Sequence, residues 1–317
     1  MRKLESKTDK LSVTYILSLL AIAVVAVVIN GFKAALLIIV MSAAAFVADF
    51  VCVKLKKRNY EISDLSCIAE SWLLAFMFPS TMPLEKALAA AVAAVLLGRH
   101  IFGENRTRLM PSPVIGYVFA LCAWKDDVLS FPNITGDTEA MELSNGLIPS
   151  SSAHFNSAGV FRESLFDVFT GNVNGAMGTN VIILLLICAV ILLISRRIRF
   201  APLIGVLVSM AFFGGVVHKS GEFLLSAESE VLANMVLFAA IFFASDKDTA
   251  PSGFVSGMLY GLTLGMVAYY ISFFTDQENT IIPAIVICSP ICLLCRSFVK
   301  KTQDSKADRE TEEELQQ

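Results

Sequence analysis

Apolar runs long enough to cross a bilayer recur from one end of this sequence to the other, and no other feature restricts its fold so strongly. A hydrocarbon core of about 30 Å takes roughly 20 apolar residues of helix. Runs of that kind are read at 12–30, 34–53, 64–80, 84–102, 110–124, 178–195, 199–217, 230–245, 254–274 and 281–299 of the 317 residues. The third and fifth are short and rest partly on their neighbours. The chain is 56% hydrophobic and 17% charged, and a mean hydropathy of +0.68 excludes an ordinary soluble domain. The runs are continuous rather than alternating, which excludes a β-barrel. The expected fold is an all-α integral membrane protein of about ten transmembrane helices. The first run is too long for a cleavable signal and has no small-residue cleavage site after it, so it is read as a span.

Basic residues orient the spans. With the N-terminus inside, 20 of the 25 Lys and Arg residues fall on inner segments, among them Lys54, Lys56, Lys57, Arg58, Arg99, Arg106, Arg108, Arg196, Arg197 and Arg199. The outer side holds only Lys33, Lys86, Lys125, Arg162 and Lys219. Both termini are therefore expected in the cytoplasm, in a bacterial cytoplasmic (inner) membrane. The net charge of −3 gives no reason to expect nucleic acid as a partner.

The chain divides into a cytoplasmic N-terminus (1–11), a first five-helix half (12–124), an extracytoplasmic loop (125–177), a second five-helix half (178–299) and a charged cytoplasmic tail (300–317). An odd number of spans per half means that any internal repeat is inverted in the membrane. WLLAFMFPSTMP (72–83) in the third run and LFAAIFFASDKDTAP (237–251) in the eighth are alike, each an apolar run with Phe, then a small polar residue, then proline. Two ordinary helix ends explain the likeness equally well.

Three landmarks occur in a recognisable order: ISDLSCIAESWLLAFMFPSTMP (62–83), SLFDVFTGNVNGAMGTNVIILLL (164–186) and FFASDKDTAP (242–251). In order, spacing and placement they resemble the RnfD and NqrB family, whose members are membrane subunits of the Rnf ferredoxin:NAD oxidoreductase complex and of the sodium-translocating NADH:quinone reductase. The resemblance runs from the second span to the tenth. It implies a membrane subunit of an ion-translocating electron transport complex, with Na⁺ or H⁺ as the coupling ion and other Rnf-type subunits as partners. In that family FMN is joined through its phosphate to a threonine in a Ser/Thr-Gly-Ala-Thr motif on the outer loop after the fifth span. The resemblance places Thr135, Gly136 and Thr138 of NITGDTEAM (133–141) there, with Thr138 as the FMN acceptor and a flavin transferase needed for maturation. An exposed hydroxyl in a loop, beside a glycine that permits close backbone approach, is what such a transfer requires.

This chain departs from the family pattern. Asp137 and Glu139 replace the family's alanine and proline, adding carboxylates that oppose an incoming phosphate, although an exposed loop screens much of that. The competing reading of Thr-Gly-Asp-Thr is turn chemistry. On the inner side, FGENRTRLMPSP (102–113) keeps Phe102 and Gly103 but loses the family's other glycines and its Asn-Pro, so the chain is a divergent member.

Glu70 lies inside the third run, and an ionisable residue in a membrane helix is a candidate for an ion pathway, with structural pairing as the alternative. Asp49 is close enough to its helix end to reach the interface by snorkelling. Cys288, Cys292 and Cys295 recur on one face of the last span, where an iron–sulfur centre and plain packing compete, and packing is preferred. His100, His154 and His218 show no metal-ligand spacing, so no metal is expected. No catalytic residue is assigned, because the chain is read as an electron carrier and not as an enzyme by itself. Two other classes stay open, a transporter or channel and a cofactor-free scaffold subunit.

Overall fold

The structure is a computed structural model that describes residues 2–57, 66–102, 110–133, 147–158, 161, 163–217 and 223–294, with side chains from residue 13 onward. The described residues are helical, and their only β-type pairings are two isolated bridges, Phe131 with Ile148 and Ile198 with Asp246. Helices α1 (Arg2–Asn30) and α2 (Phe32–Leu55) are separated by Gly31 alone, whose φ of +73° is a backbone state that suits glycine. Next come α3 (Ser66–Phe76), α4 (Leu84–Ala93, continuing as a π-helix through Ala94–Ile101) and α5 (Ser112–Ala123).

The outer loop carries three short helices, α6 (Lys125–Val128), α7 (Ser151–Ala158) and α8 (Leu165–Thr170). The second half consists of α9 (Ile182–Ile194), α10 (Phe200–Val216), α11 (Phe223–Leu232), α12 (Val236–Ala239, continuing as a π-helix through Ala240–Ala244), α13 (Phe254–Thr275) and α14 (Ile281–Leu294).

Every apolar run read from the sequence contains a helix, but most of these helices are shorter than a full crossing. Among the described residues, three are long and apolar enough to span by themselves, α1 (over Val13–Asn30), α2 and α13, and α11 with α12 makes a fourth only as one bent unit. Over the described residues α3, α5, α9, α10 and α14 fall below that length, α3 beginning and α14 ending where the described residues do. The shortfall has a physical cause in two places. After α3, Pro79 lacks the amide to continue the ladder, and the chain turns through Phe76–Pro83. The eighth run is not one helix from 230 to 245 but is bent by 59° between α11 and α12. There Asn234 and Met235 adopt positive φ values of +54° and +57°.

These broken segments form the centre of the molecule. Phe76, Met77 and Phe78 are fully buried, as are Val236, Phe238, Ala239, Ala240 and Ile241. Backbone hydrogen bonds just before and just after helix α9 tie it to these segments. Before it, the amides of Met177 and Gly178 donate to the carbonyls of Phe78 (3.2 Å) and Phe76 (3.0 Å). After it, the amide of Arg199 donates to the carbonyl of Ser245 at 2.8 Å. At 1.5 Å per residue the helix between these contacts is roughly 20 Å long, so Phe76 and Phe78 lie near the opposite end of the bundle from Ser245, which follows the π-helical end of α12. Exposed apolar side chains such as Val28, Ile39, Ile194 and Phe274 cover its outside.

Candidate functional site

Polar groups gather at both ends of this bundle. On the side read as outer, the loop folds back on itself where Phe131 and Ile148 exchange backbone hydrogen bonds of 2.9 and 3.0 Å. This bridge brackets residues 134–146, so Thr135, Gly136 and Thr138 lie outside the described residues. Helix α8 follows, and its sequence explains its ends. The Ser164 hydroxyl caps it by accepting from the Asp167 amide at 3.2 Å, and Gly171 closes it at a φ of +86°. The Ser164 hydroxyl and Asn172 amide also donate to the Asp167 carboxylate, which holds its pKa below the ordinary aspartate value.

Beneath the bridge is a cavity of about 30 Å³. Ser150, Ser151, Ser152, Asn174, Thr179, Asn180, Glu278 and Asn279 supply its polar lining. At that size it holds about two waters and no ring system. A phosphate-tethered flavin fits this region in one respect only: hydroxyl and amide donors surround the base of the loop, while the ring has to lie outside the cavity.

Next to it Asn156 and Asn234 exchange side-chain hydrogen bonds of 3.1 and 2.9 Å, which satisfies Asn234 at the bend between α11 and α12. Asn279 donates to the Tyr117 hydroxyl at 3.0 Å. Glu278, between α13 and α14, is 7% exposed. Burial raises its pKa to about 7, against the lowering effects of the Ser150 hydroxyl and the Lys125 charge.

At the other end, α2, α3, α4 and α5 converge on a charged cluster. The Arg99 guanidinium lies 3.0 Å from Asp49 and 3.6 Å from Glu70 and donates to Ser66 at 2.7 Å. His100 meets the same Asp49 oxygen at 2.8 Å. Ser112 donates to Glu70 at 2.5 Å, which ties α5 to α3. Arg99 and His100 fall in the π-helical part of α4, a geometry frequent at functional sites. Asp49 does not snorkel as the sequence led us to expect. It is 3% exposed, because Arg99 and His100 reach inward to meet it.

Of the sequence candidates, Glu70 is thus gathered into a cluster with Asp49, Arg99 and His100. Cys288 and Cys292 are buried on α14, with the Cys292 thiol donating to the Thr249 carbonyl at 2.9 Å, and Cys295 and His218 lie outside the described residues. Sequence reasoning missed Glu278 and Asn156, which sit in polar connections where hydropathy carries no signal, and Asn234, a single polar residue inside the eighth apolar run.

The sequence matches the NQR2, RnfD, RnfE family over residues 2–303. The chain belongs to that family. It is 23% identical to an Actinobacillus succinogenes protein named as a subunit of an ion-translocating oxidoreductase complex, over 90% of this chain and 91% of the relative. A Haemophilus influenzae protein of the same name is 25% identical, over 78% of this chain and 80% of its own. A Chromohalobacter salexigens protein named as a subunit of the Na⁺-translocating NADH-quinone reductase is 25% identical, over 68% of this chain and 53% of its own. Family membership and the apolar helices together make this a membrane protein.

Proposed function

We propose that this chain is the RnfD-type membrane subunit of an Rnf-type ion-translocating electron transport complex, working with other membrane and peripheral subunits. The observation that carries this reading is the near end-to-end match to a relative named as a subunit of such a complex. Ten crossings in two inverted five-helix halves, with both termini in the cytoplasm of an inner-membrane protein, belong to the same reading. The polar contacts between connections support it. Lys86 with Asp127, Ser150 with Glu278 and Asn156 with Asn234 join segments assigned to the outer side. Lys56 with the His100 carbonyl and Arg199 with Lys247 join segments assigned to the inner side.

In this reading a flavin transferase joins FMN through its phosphate to Thr138 on the outer loop. When bound, FMN supplies exchange of one or two electrons and so links unlike carriers. The chain's own part is to present the threonine hydroxyl, with Thr135 and Gly136 beside it, on a loop whose base is closed by Phe131 and Ile148. Glu70, with Asp49, Arg99 and His100, is assigned to the cytoplasmic end of the path for Na⁺ or H⁺.

The test is purification of the tagged chain from its native membrane in a mild detergent. The reading predicts co-purifying redox subunits and flavin-dependent electron transfer by the assembly. A chain that purifies alone and moves a solute without them would instead establish a transporter.

A further inference from the structure

Among the described residues Glu278 is the one carboxylate lining the outer cavity, and it is more than nine-tenths buried. Its only hydrogen-bond partner among the described residues is the Ser150 hydroxyl, which donates to Oε2. No Lys, Arg or His among the described residues forms an ion pair with it. The titratable groups nearby are Lys125, whose charge acts on it from the loop, Tyr117 on α5, and Glu163, which accepts from Ser151. A buried carboxylate without a close cation is costly when ionised, and either a proton or a cation removes that cost.

The rest of the lining is suited to a cation. Ser150 and Ser151, which carry hydroxyl oxygens, and Asn174 and Asn180, which carry amide oxygens, all line it. The Ser151 and Asn174 backbones are locked together: the Ser151 amide donates to the Asn174 carbonyl at 2.8 Å, and the Asn174 amide donates to the Ser151 hydroxyl at 3.1 Å. Hard cations take oxygen ligands of this kind. A single carboxylate balances one positive charge, whereas divalent ions in proteins draw on more carboxylates. A cavity of about 30 Å³ admits a bare or partly hydrated ion and excludes an organic ligand.

We propose that the outer cavity between Glu278, Ser150, Ser151, Asn174 and Asn180 is a binding site for a monovalent hard cation, Na⁺ in particular. One Na⁺ enters as one proton leaves the Glu278 carboxyl, so the charge in the cavity is unchanged. The site deepens the proposed ion-translocating role, on which it rests, by giving the coupling ion a place at the outer end of the chain.

The experiment is thermal unfolding of the purified, flavin-free full chain in detergent, titrated with NaCl against KCl and choline chloride at constant ionic strength. At pH 8, saturating Na⁺ is expected to raise the unfolding midpoint by ~5 °C, as linkage requires for a ligand that binds only the folded state. K⁺ and choline are expected to have little effect. At pH 5.5 the proton holds the carboxyl and the Na⁺ response is expected to shrink severalfold. Glu278→Gln is expected to abolish the response at both pH values. Should that variant not fold, Ser150→Ala keeps the carboxylate and is expected to raise the half-saturating Na⁺ concentration severalfold. Absence of a Na⁺-specific shift in the wild type at pH 8, an undiminished response in Glu278→Gln, or an unchanged midpoint concentration in Ser150→Ala each overturns the proposal. Because the protein carries no flavin, these results are independent of whether Thr138 is modified.

Discussion

Arg99 faces Asp49 at 3.0 Å and Glu70 at 3.6 Å with 12% of its side chain exposed, so its removal leaves two acids with little access to water. Breaking a buried pair of this kind costs about 3–5 kcal/mol. Arg99→Ala is therefore expected to lower the unfolding midpoint in detergent strongly, and Asp49→Asn in the same chain is expected to recover part of the loss. If the single and double variants melt alike, the cluster is not coupled. Glu278 makes the opposite kind of prediction, through pH. Its folded pKa of about 7 lies above the ordinary 4.5, so the folded state binds the proton more tightly. That contribution to stability is fully present below pH 4.5 and is lost as pH rises through about 7. In Na⁺-free buffer the wild type is expected to lose stability across this window, and Glu278→Gln is expected to flatten the slope. Neither residue's role was legible in the sequence. Glu70 stood out because it interrupts an apolar run, but its partners are about 30 and 40 residues away and periodicity does not pair them.

The helices themselves were legible, because burial in lipid demands long apolar runs and the sequence displays them. Their interruptions were not, apart from the proline after α3. At the bend between α11 and α12 the run stays apolar through Met235 and Val236, and the kink rests on Asn234 finding Asn156, 78 residues away. Packing between helices depends equally on features that hydropathy ignores. Helix α13 presents Gly257, Gly261 and Gly265 to α10, and a Cβ at Gly261 would lie 2.5 Å from the Pro202 carbonyl oxygen. Without a hydrophobic force between helices in lipid, such close backbone approach is a main source of their association. Gly261→Val is expected to cost about 1–3 kcal/mol by overpacking and to lower the unfolding midpoint. The outward-facing Leu259→Val, at 54% exposure, is expected to leave it nearly unchanged. Equal effects from both would show that the α10–α13 contact is not stabilising.

For the whole molecule, the proposed topology, with the loop after α5 outside and Lys57 and Arg197 inside, is open to a direct test. Alkaline phosphatase fused after Ala140 is expected to be active, and the same reporter fused after Lys57 or Arg197 is expected to be inactive. Activity at Arg197 would break the inverted arrangement of the halves. The central claim, however, is chemical. It concerns a threonine in a loop whose place is marked by family resemblance and whose base, but not whose centre, the structure describes. The most direct test is in-gel flavin fluorescence of the denatured chain after co-expression with a flavin transferase, beside Thr138→Ala. The account predicts a fluorescent wild-type band that disappears in the variant. A dark wild-type band, with the transferase proven active on a control substrate, would contradict it and leave the chain a cofactor-free scaffold or a transporter.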